Sequence, residues 1–423
     1  MPADASTQEL IARRNRLLGP AYRLFYEQPV HVVRGEGVWL YDAAGNRYLD
    51  AYNNVACVGH CHPHIIEAIA RQAAVLNTHT RYLHETILDY AERLLATFPA
   101  ELGQVMFTCT GSEANDLALR VARTCTGGTG VVVTRTAYHG VTGALAELSP
   151  SLGLPEPTAP HVRLVSAPQS ADDDTGKTFA SHVRAAFEDM VRSGIRPAAL
   201  LVDTIFSSDG VFADPPGFLR PAVDAARAAG ALVIADEVQP GFGRCGEGMW
   251  GFARHGVVPD MVTMGKPMGN GHPIAAMAAR PDLLKEFGAR SRYFNTFGGN
   301  PVSAAAGMAV LDVIERQSLV ENARRTGTYL RERLTALRAR HELVAEVRGA
   351  GLFIGVELRR GDSPAAGETT KLVNAMRRRH VLISAAGPGA NVLKIRPPLT
   401  FGMEHGDLLV EALDQALQEN SID

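Results

Sequence analysis

Lys266 stands in TMGKPMGNGH, residues 263–272, directly after an apolar run and directly before a glycine-rich one. Three readings are open for that lysine: a surface charge, a phosphate-loop lysine or a reactive amine. The phosphate-loop reading fails on order, because such loops place their glycines before the lysine and open a helix after it. Here the glycines follow. An amine beside a second cation and an apolar wall loses its proton more readily, which an imine-forming nucleophile requires. A carboxylate for the same chemistry is Asp236, in ALVIADEVQPGFGR at residues 231–244. At the end of so apolar a run an ionised carboxylate is costly when unpaired. Asp236 therefore either pairs with a cation, a protonated ring nitrogen among the options, or caps the next turn. No His or carboxylate at turn or helical spacing completes a metal set around it.

Other stretches carry weaker signals. In TGSEAND, residues 110–116, a strand end, a glycine and a helix start follow one another. Free N–H groups and a positive dipole end make that a ready anion site, although a Ser/Glu capped helix start reads the same way. Tyr138 in AYHG is either a stacking ring for a planar ligand or an ordinary loop tyrosine. FNTFGGNP, residues 294–301, sets Thr296 before a Gly-Gly turn. The histidines of VGHCHPH, residues 58–64, suggest a metal, but no matching Cys or His pair occurs elsewhere. TGGTG at 126–130 precedes a strand and so does not fit a dinucleotide loop. The acidic run at 172–174 reads as a solvated loop.

These residues need strand ends to carry them. Short apolar runs at 105–110, 131–136, 199–205, 231–238 and 261–266 lack polar alternation. They suit strands buried on both faces, as in a parallel sheet between helices. The amphipathic segment 218–229 between two of them ends at Gly230. A long amphipathic helix is expected over 319–341, then shorter strands at 351–359 and 391–398. Residues 38–52 read as a hairpin turning at 43–46. The expected architecture is α/β: a large domain with a mostly parallel central sheet (66–310), and a smaller α+β domain built from both termini (1–65 and 311–423).

Composition removes several classes. With 423 residues, 46% apolar and 21% charged, the chain can bury a sizeable core. A net charge of −3 and the lack of a basic run leave no footprint for nucleic acid or an anionic membrane. Five scattered cysteines argue for a reducing compartment, not a disulfide framework. No apolar leader or spanning segment is read, so a cytoplasmic protein is expected.

Taken in order, RYLDAYNNVACVGHCHP, GSEAND, AYHG, ADEVQPGFGR, GKPMGNGHP, NTFGGNP and KIRPPL resemble the class III aminotransferases. These are pyridoxal 5'-phosphate (PLP) enzymes of fold type I, and the resemblance spans nearly the whole chain. It implies that Lys266 forms the internal aldimine and that Asp236 keeps the pyridinium nitrogen protonated. Val238 and Tyr138 would lie on the two ring faces and Gln239 at the phenolic oxygen. Thr110, Gly111 and Ser112 would cradle the phosphate, helped by Thr296 from the neighbouring subunit of a homodimer. Whether dimers pair into tetramers is left open. Arg396 would hold a substrate carboxylate, as in many members of the family, or a phosphate in its place. The freed Lys266 would then take a proton from the external aldimine to give a quinonoid.

Three stretches look most like the phospho-lyases that act on O-phosphoethanolamine and similar amino-alcohol phosphates: YNNVACVGHCHP, LNTHTRYLHE (76–85) and GKPMGNGHP. Arg81, in the second, is either a phosphate-holding cation or a surface arginine. Family aminotransferases commonly carry a Glu-Pro-Ile-Gln-Gly segment where this chain reads DTIFSSDG, 203–210. The acid that pairs with the arginine is thereby missing or displaced to Asp209. The small primary amine substrate is expected to lose phosphate and ammonia. The alternatives are an ω-aminotransferase and, more remotely, a non-catalytic PLP-binding homologue.

Overall fold

The computed structural model describes residues 5–153, 159–169 and 174–420. Residues 172 and 173 of the acidic run lie outside the described residues. After helix α1 (Ala5–Leu18), strands β1 (Val32–Glu36), β2 (Trp39–Asp42) and β3 (Arg47–Asp50) form the expected hairpin region, with Tyr41 opposite Arg47. Seven strands then build the central sheet: β4 (Gln104–Thr108), β5 (Gly130–Thr134), β6 (Val162–Val165), β7 (Pro197–Asp203), β8 (Leu232–Asp236), β9 (Met261–Met264) and β10 (Ala275–Ala279). Their spatial order is β4-β10-β9-β8-β7-β5-β6. Neighbours from β9 to β6 are parallel, while β10 runs antiparallel to both β4 and β9.

Strands β5 and β10 are buried at every position, as expected for strands covered on both faces. Helices α3 (Glu85–Leu95), α4 (Gly111–Thr126), α6 (Thr175–Arg192) and α7 (Arg220–Ala228) pack against the sheet; α2 (Pro63–Ala73) packs on α9 (Pro301–Arg316), α9 on α3, and the single turn α5 (Gly143–Ala146) and α8 (Pro281–Arg290) on α4. Strands β6 and β10 have no counterpart among the runs read from the sequence. β10 is AAMAA, whose small side chains carry little apolar or β-branched signal, yet they let helix α4 pack closely.

Helix α10 (Leu319–Ala336) ends sooner than its amphipathic pattern, passing into a 3₁₀ turn at Leu337–Ala339. Beyond it come β11 (Val344–Ala350), β12 (Phe353–Arg360), β13 (Ser363–Pro364), α11 (Ala366–Arg378), β14 (Val381–Leu382), β15 (Ser384–Ala386), β16 (Val392–Ile395) and α12 (Met403–Asn420). Strands β11, β12, β16 and β15 form one sheet, and β14 joins β3 in parallel to complete the N-terminal one. Segments from the N-terminal and C-terminal parts of the chain are thus hydrogen-bonded together. Positions 65/66 and 310/311 fall inside α2 and α9, which run through them unbroken. We propose that the domain division is better placed at the ends of those helices.

Candidate active site

The parallel register aligns Asp203 with Asp236, and Asp236 with Thr263. Both aspartates therefore sit at adjacent strand ends, and Lys266 follows two residues after β9 stops. Both apolar runs outlast their strands, so Val238 and Lys266 occupy turns beyond the sheet edge. That edge, with the loops after β4 and β5, lines a cavity of about 260 Å³.

Asp236, 5% exposed, is held from three elements. Its Oδ2 accepts from Asn115 Nδ2 of α4 at 2.9 Å and lies 2.8 Å from His139 Nδ1. Its Oδ1 accepts the Val238 N–H at 3.1 Å. Asn115 is fixed in turn by the Thr263 hydroxyl, which donates to its Oδ1 at 2.6 Å. Asn115 and His139 lie inside two of the motifs quoted above, and neither was singled out. Asn115 belongs to the first turns of α4 on the face toward the sheet, and His139 adjoins Tyr138, so helical and loop spacing carried the signal.

Lys266 Nζ lies 6.0 Å from the Tyr138 ring centroid. Burial pushes its ammonium below the ordinary range, and Arg396 pushes the same way, against the pull of Asp236 and Asp203. Burial likewise raises Asp203, with Asp236 adding repulsion. The result is an amine poised toward its neutral, nucleophilic form.

At the start of α4, Thr110 is the N-cap, and a full capping box joins it to Glu113. Cap and anion site are compatible: the box satisfies the N–H groups of Thr110 and Glu113. Among the described residues, the N–H groups of Gly111 and Ser112 have no acceptor, and both residues line the cavity. A Cβ on Gly111 would stand 2.9 Å from Val238 Cγ2, and one on Gly265 3.2 Å from the Gly111 nitrogen. Glycine at both positions lets this anion cradle close against Val238.

Arg396, 9% exposed, reaches the cavity region from the C-terminal sheet. Its Nη1 donates to Asn54 Oδ1 at 3.2 Å and to Gln239 Oε1, and its guanidinium lies 4.7 Å from the Tyr52 ring centroid. Gln239 also donates from Nε2 to Ser207 Oγ at 2.6 Å. The expectation that Asp209 faces Arg396 is corrected. Asp209 accepts from the hydroxyls of Thr134, at 2.9 Å, and Thr136, because its loop folds back over β5. A second basic residue was missed. Lys394 of β16 lies two residues before Arg396, which follows the strand's last residue, and is 7% exposed. Burial, and next Arg396, holds its ammonium well below the usual range.

The single chain does not bring every expected residue to this cavity. Thr296 is exposed on the loop before α9. Arg81 is also exposed, its guanidinium 3.8 Å from the ring centroid of Phe294 on that same loop. The histidines of VGHCHPH go separate ways: His60 to Asp50 at 2.6 Å, His64 to Asp312 at 2.8 Å and His62 to Gln317 at 3.2 Å.

The family model for aminotransferase class III matches residues 25–417. The chain belongs to the class III aminotransferases. Like its family it is a PLP-dependent enzyme of fold type I. This class III chain is 39% identical to the Drosophila melanogaster "Alanine--glyoxylate aminotransferase 2-like" protein, over 98% of its own length and 88% of the relative's. It is 36% identical to the Caenorhabditis elegans "Ethanolamine-phosphate phospho-lyase homolog 1", over 98% and 96% of the two chains. A solved Arthrobacter phospholyase in complex with phosphoethanolamine superposes with a TM-score of 0.93 at 46% identity, covering 97% of this chain and 99% of that one. The residues present fit the class III cofactor: a cradle of unpaired N–H groups for its phosphate, a buried carboxylate, and one enclosed amine.

Proposed function

We propose that this enzyme is a phospho-lyase that releases inorganic phosphate and ammonia from O-phosphoethanolamine or a similar amino-alcohol phosphate. One observation carries the reading. Two buried basic side chains, Arg396 and Lys394 two residues before it, act on Lys266 through their charge, and neither is hydrogen-bonded to a carboxylate among the described residues. Such a pair suits a phosphate dianion better than a single carboxylate.

In this reading Lys266 is the Schiff-base residue, and Gly111, Ser112 and Thr110 bind the cofactor phosphate. Asp236 pairs with the ring nitrogen, Tyr138 and Val238 flank the ring, and Gln239 neighbours its oxygen. Bound there, PLP supplies an electron sink for negative charge on the carbon next to the substrate nitrogen. Lys266 Nζ takes the proton from that carbon, and Asp236, steadied by Asn115 and His139, holds the balancing charge. The adjacent C–O bond breaks, and phosphate leaves with the electron pair toward the cations. Water completes the products, an aldehyde and ammonia.

The assembly is proposed as a homodimer with shared sites. Leu83 is 98% exposed, with Val75, Tyr82 and Phe297 more than half exposed nearby. His79 stacks on Tyr82 and meets Phe294 edge-on, which joins these segments into one apolar face. Thr296 and Arg81 lie on that face, from which each would serve the partner's pocket. No described helix is long and apolar enough to cross a membrane. The free cysteines fit the proposed cytoplasmic setting.

The second reading, an ω-aminotransferase, draws on the 39% identity to the aminotransferase-named relative. Incubating the enzyme with O-phosphoethanolamine and no keto acid decides between them. Release of phosphate and ammonia in equal amounts is expected. No release, together with amine-dependent formation of alanine from pyruvate, would overturn the phospho-lyase.

A further inference from the structure

A second cavity, of about 340 Å³, opens between the central sheet and the C-terminal sheet and shares no lining residue with the cofactor pocket. Its walls include Arg135 just past β5, residues just past β6, and Asp209 beyond β7. Across from them stand Arg348 of β11 and Arg359 of β12. In the sheet order, β5 connects outward to β6 while β7 leads back the other way toward β8. The carboxyl ends of β5 and β7 therefore flank a topological switch point, where open α/β sheets bind ligands.

Three arginines, Arg135, Arg348 and Arg359, share these walls with the carboxylates Asp209 and Glu357. Arg348 is neutralised twice, by Glu346 at 2.7 Å and Glu357 at 2.6 Å, and rests 4.3 Å from the Phe212 ring centroid. Asp209 is spent on the Thr134 and Thr136 hydroxyls. Arg359 donates from Nη2 to the Asp362 carbonyl at 2.8 Å, while its Nε stands 3.8 Å from Glu357, an ion pair too long for a hydrogen bond, and has no hydrogen-bond partner. Arg135 donates its backbone N–H to the Val165 carbonyl at 3.0 Å, while its side chain makes no hydrogen bond or ion pair among the described residues. Two guanidinium groups with free donors thus face one cavity from opposite sheets.

We propose that this cavity binds a small polyanion, carrying at least two phosphate or carboxylate groups, clamped between Arg135 and Arg359. Its volume falls in the range of small-molecule sites, roughly 300–1,000 Å³. Planar guanidinium forks recognise both anion types in pairs of parallel hydrogen bonds. Because the two arginines belong to different sheets, the ligand ties those sheets together. The site stands whichever reaction the cofactor pocket performs.

The test is isothermal titration calorimetry of the PLP-saturated enzyme with inorganic pyrophosphate and, separately, citrate. One site per chain is expected, and the two probes distinguish a phosphate ligand from a carboxylate one. Arg135→Gln and Arg359→Gln should each weaken binding roughly tenfold or more. Both residues are at least partly exposed, so folding should survive, and Arg71→Gln on the surface should change nothing. No binding of either probe at millimolar concentration would overturn the proposal. So would affinity unchanged in both arginine variants, which puts the anion elsewhere. Binding that appears only after Asp172→Asn and Asp173→Asn would overturn it too, since the chain's own acids would then be the occupants.

Discussion

Nη1 of Arg396 donates to Oε1 of Gln239, so a residue of the C-terminal sheet is hydrogen-bonded to the loop that follows Asp236. The same Nη1 reaches Asn54 from the N-terminal part of the chain. Three distant segments meet at one guanidinium. Arg396→Gln should therefore raise KM for O-phosphoethanolamine roughly 10- to 100-fold, the range for a lost hydrogen bond to a charged group. Cofactor absorbance should stay unchanged. Steady-state kinetics beside the visible spectrum separates the two effects.

Arg396 also acts on Lys266 through its charge, favouring the neutral amine. Removing that charge raises the lysine's proton affinity. The acid limb of the kcat profile in Arg396→Gln should then move to higher pH. An unmoved limb would show that Lys266 does not feel the arginine.

Lys266→Ala should hold PLP only reversibly and lose at least about 10²–10⁴-fold in kcat, the usual contribution of a positioned acid–base group. Borohydride treatment followed by mass spectrometry reads the covalent link. A reduced cofactor adduct retained in the variant would refute the assignment.

Gly111→Ala places a methyl 2.9 Å from Val238 Cγ2, so Val238 must shift or the start of α4 must back away. Either change loosens the phosphate cradle. The PLP dissociation constant should rise about tenfold, in keeping with a modest overpacking cost. Fluorescence titration of the apoenzyme measures it.

Glu237 is fully buried, and burial lifts its carboxyl to about 7 although Thr204, Gly251 and Phe252 all donate to it. A folded-state value above the unfolded one, 4.5, means that the folded protein binds the extra proton. That contribution, on the order of 3 kcal/mol, is complete below pH 4.5 and is lost as the pH rises through 7. The thermal midpoint should fall between pH 5 and pH 8, and Glu237→Gln should flatten the slope. Differential scanning calorimetry across that range provides the comparison.

Much of this site was legible because its parts sit at strand ends that apolar runs announce. Lys266 and Asp236 needed only the guess that β8 and β9 are neighbours. What stayed hidden depends on tertiary register. Asp203 became a neighbour of Asp236 only through the β7–β8 pairing. Lys394 was readable from the two-residue alternation of KIRPP, but a lysine in a strand usually signals a solvated face. Asp209 misled because sequence proximity to a missing acid says nothing about which way a loop folds. Strand β10 escaped because alanine carries almost no strand signal, although its small size allows α4 to pack over the sheet. Thr296 and Arg81 both lie on the outer face of the chain, so their motifs pointed away from the cavity of their own subunit.

Leu49 of β3 pairs with Val381 of β14, more than three hundred residues further along the chain. At about 5–20 residues per second, β3 waits roughly 20–60 s on the ribosome with that edge unpaired. The central strands and Lys266 emerge during this interval, so the cofactor half of the pocket is synthesised before Arg396 exists. An open strand edge held that long is an aggregation hazard, so the long-range β3–β14 pairing is the closure on which the N-terminal sheet waits.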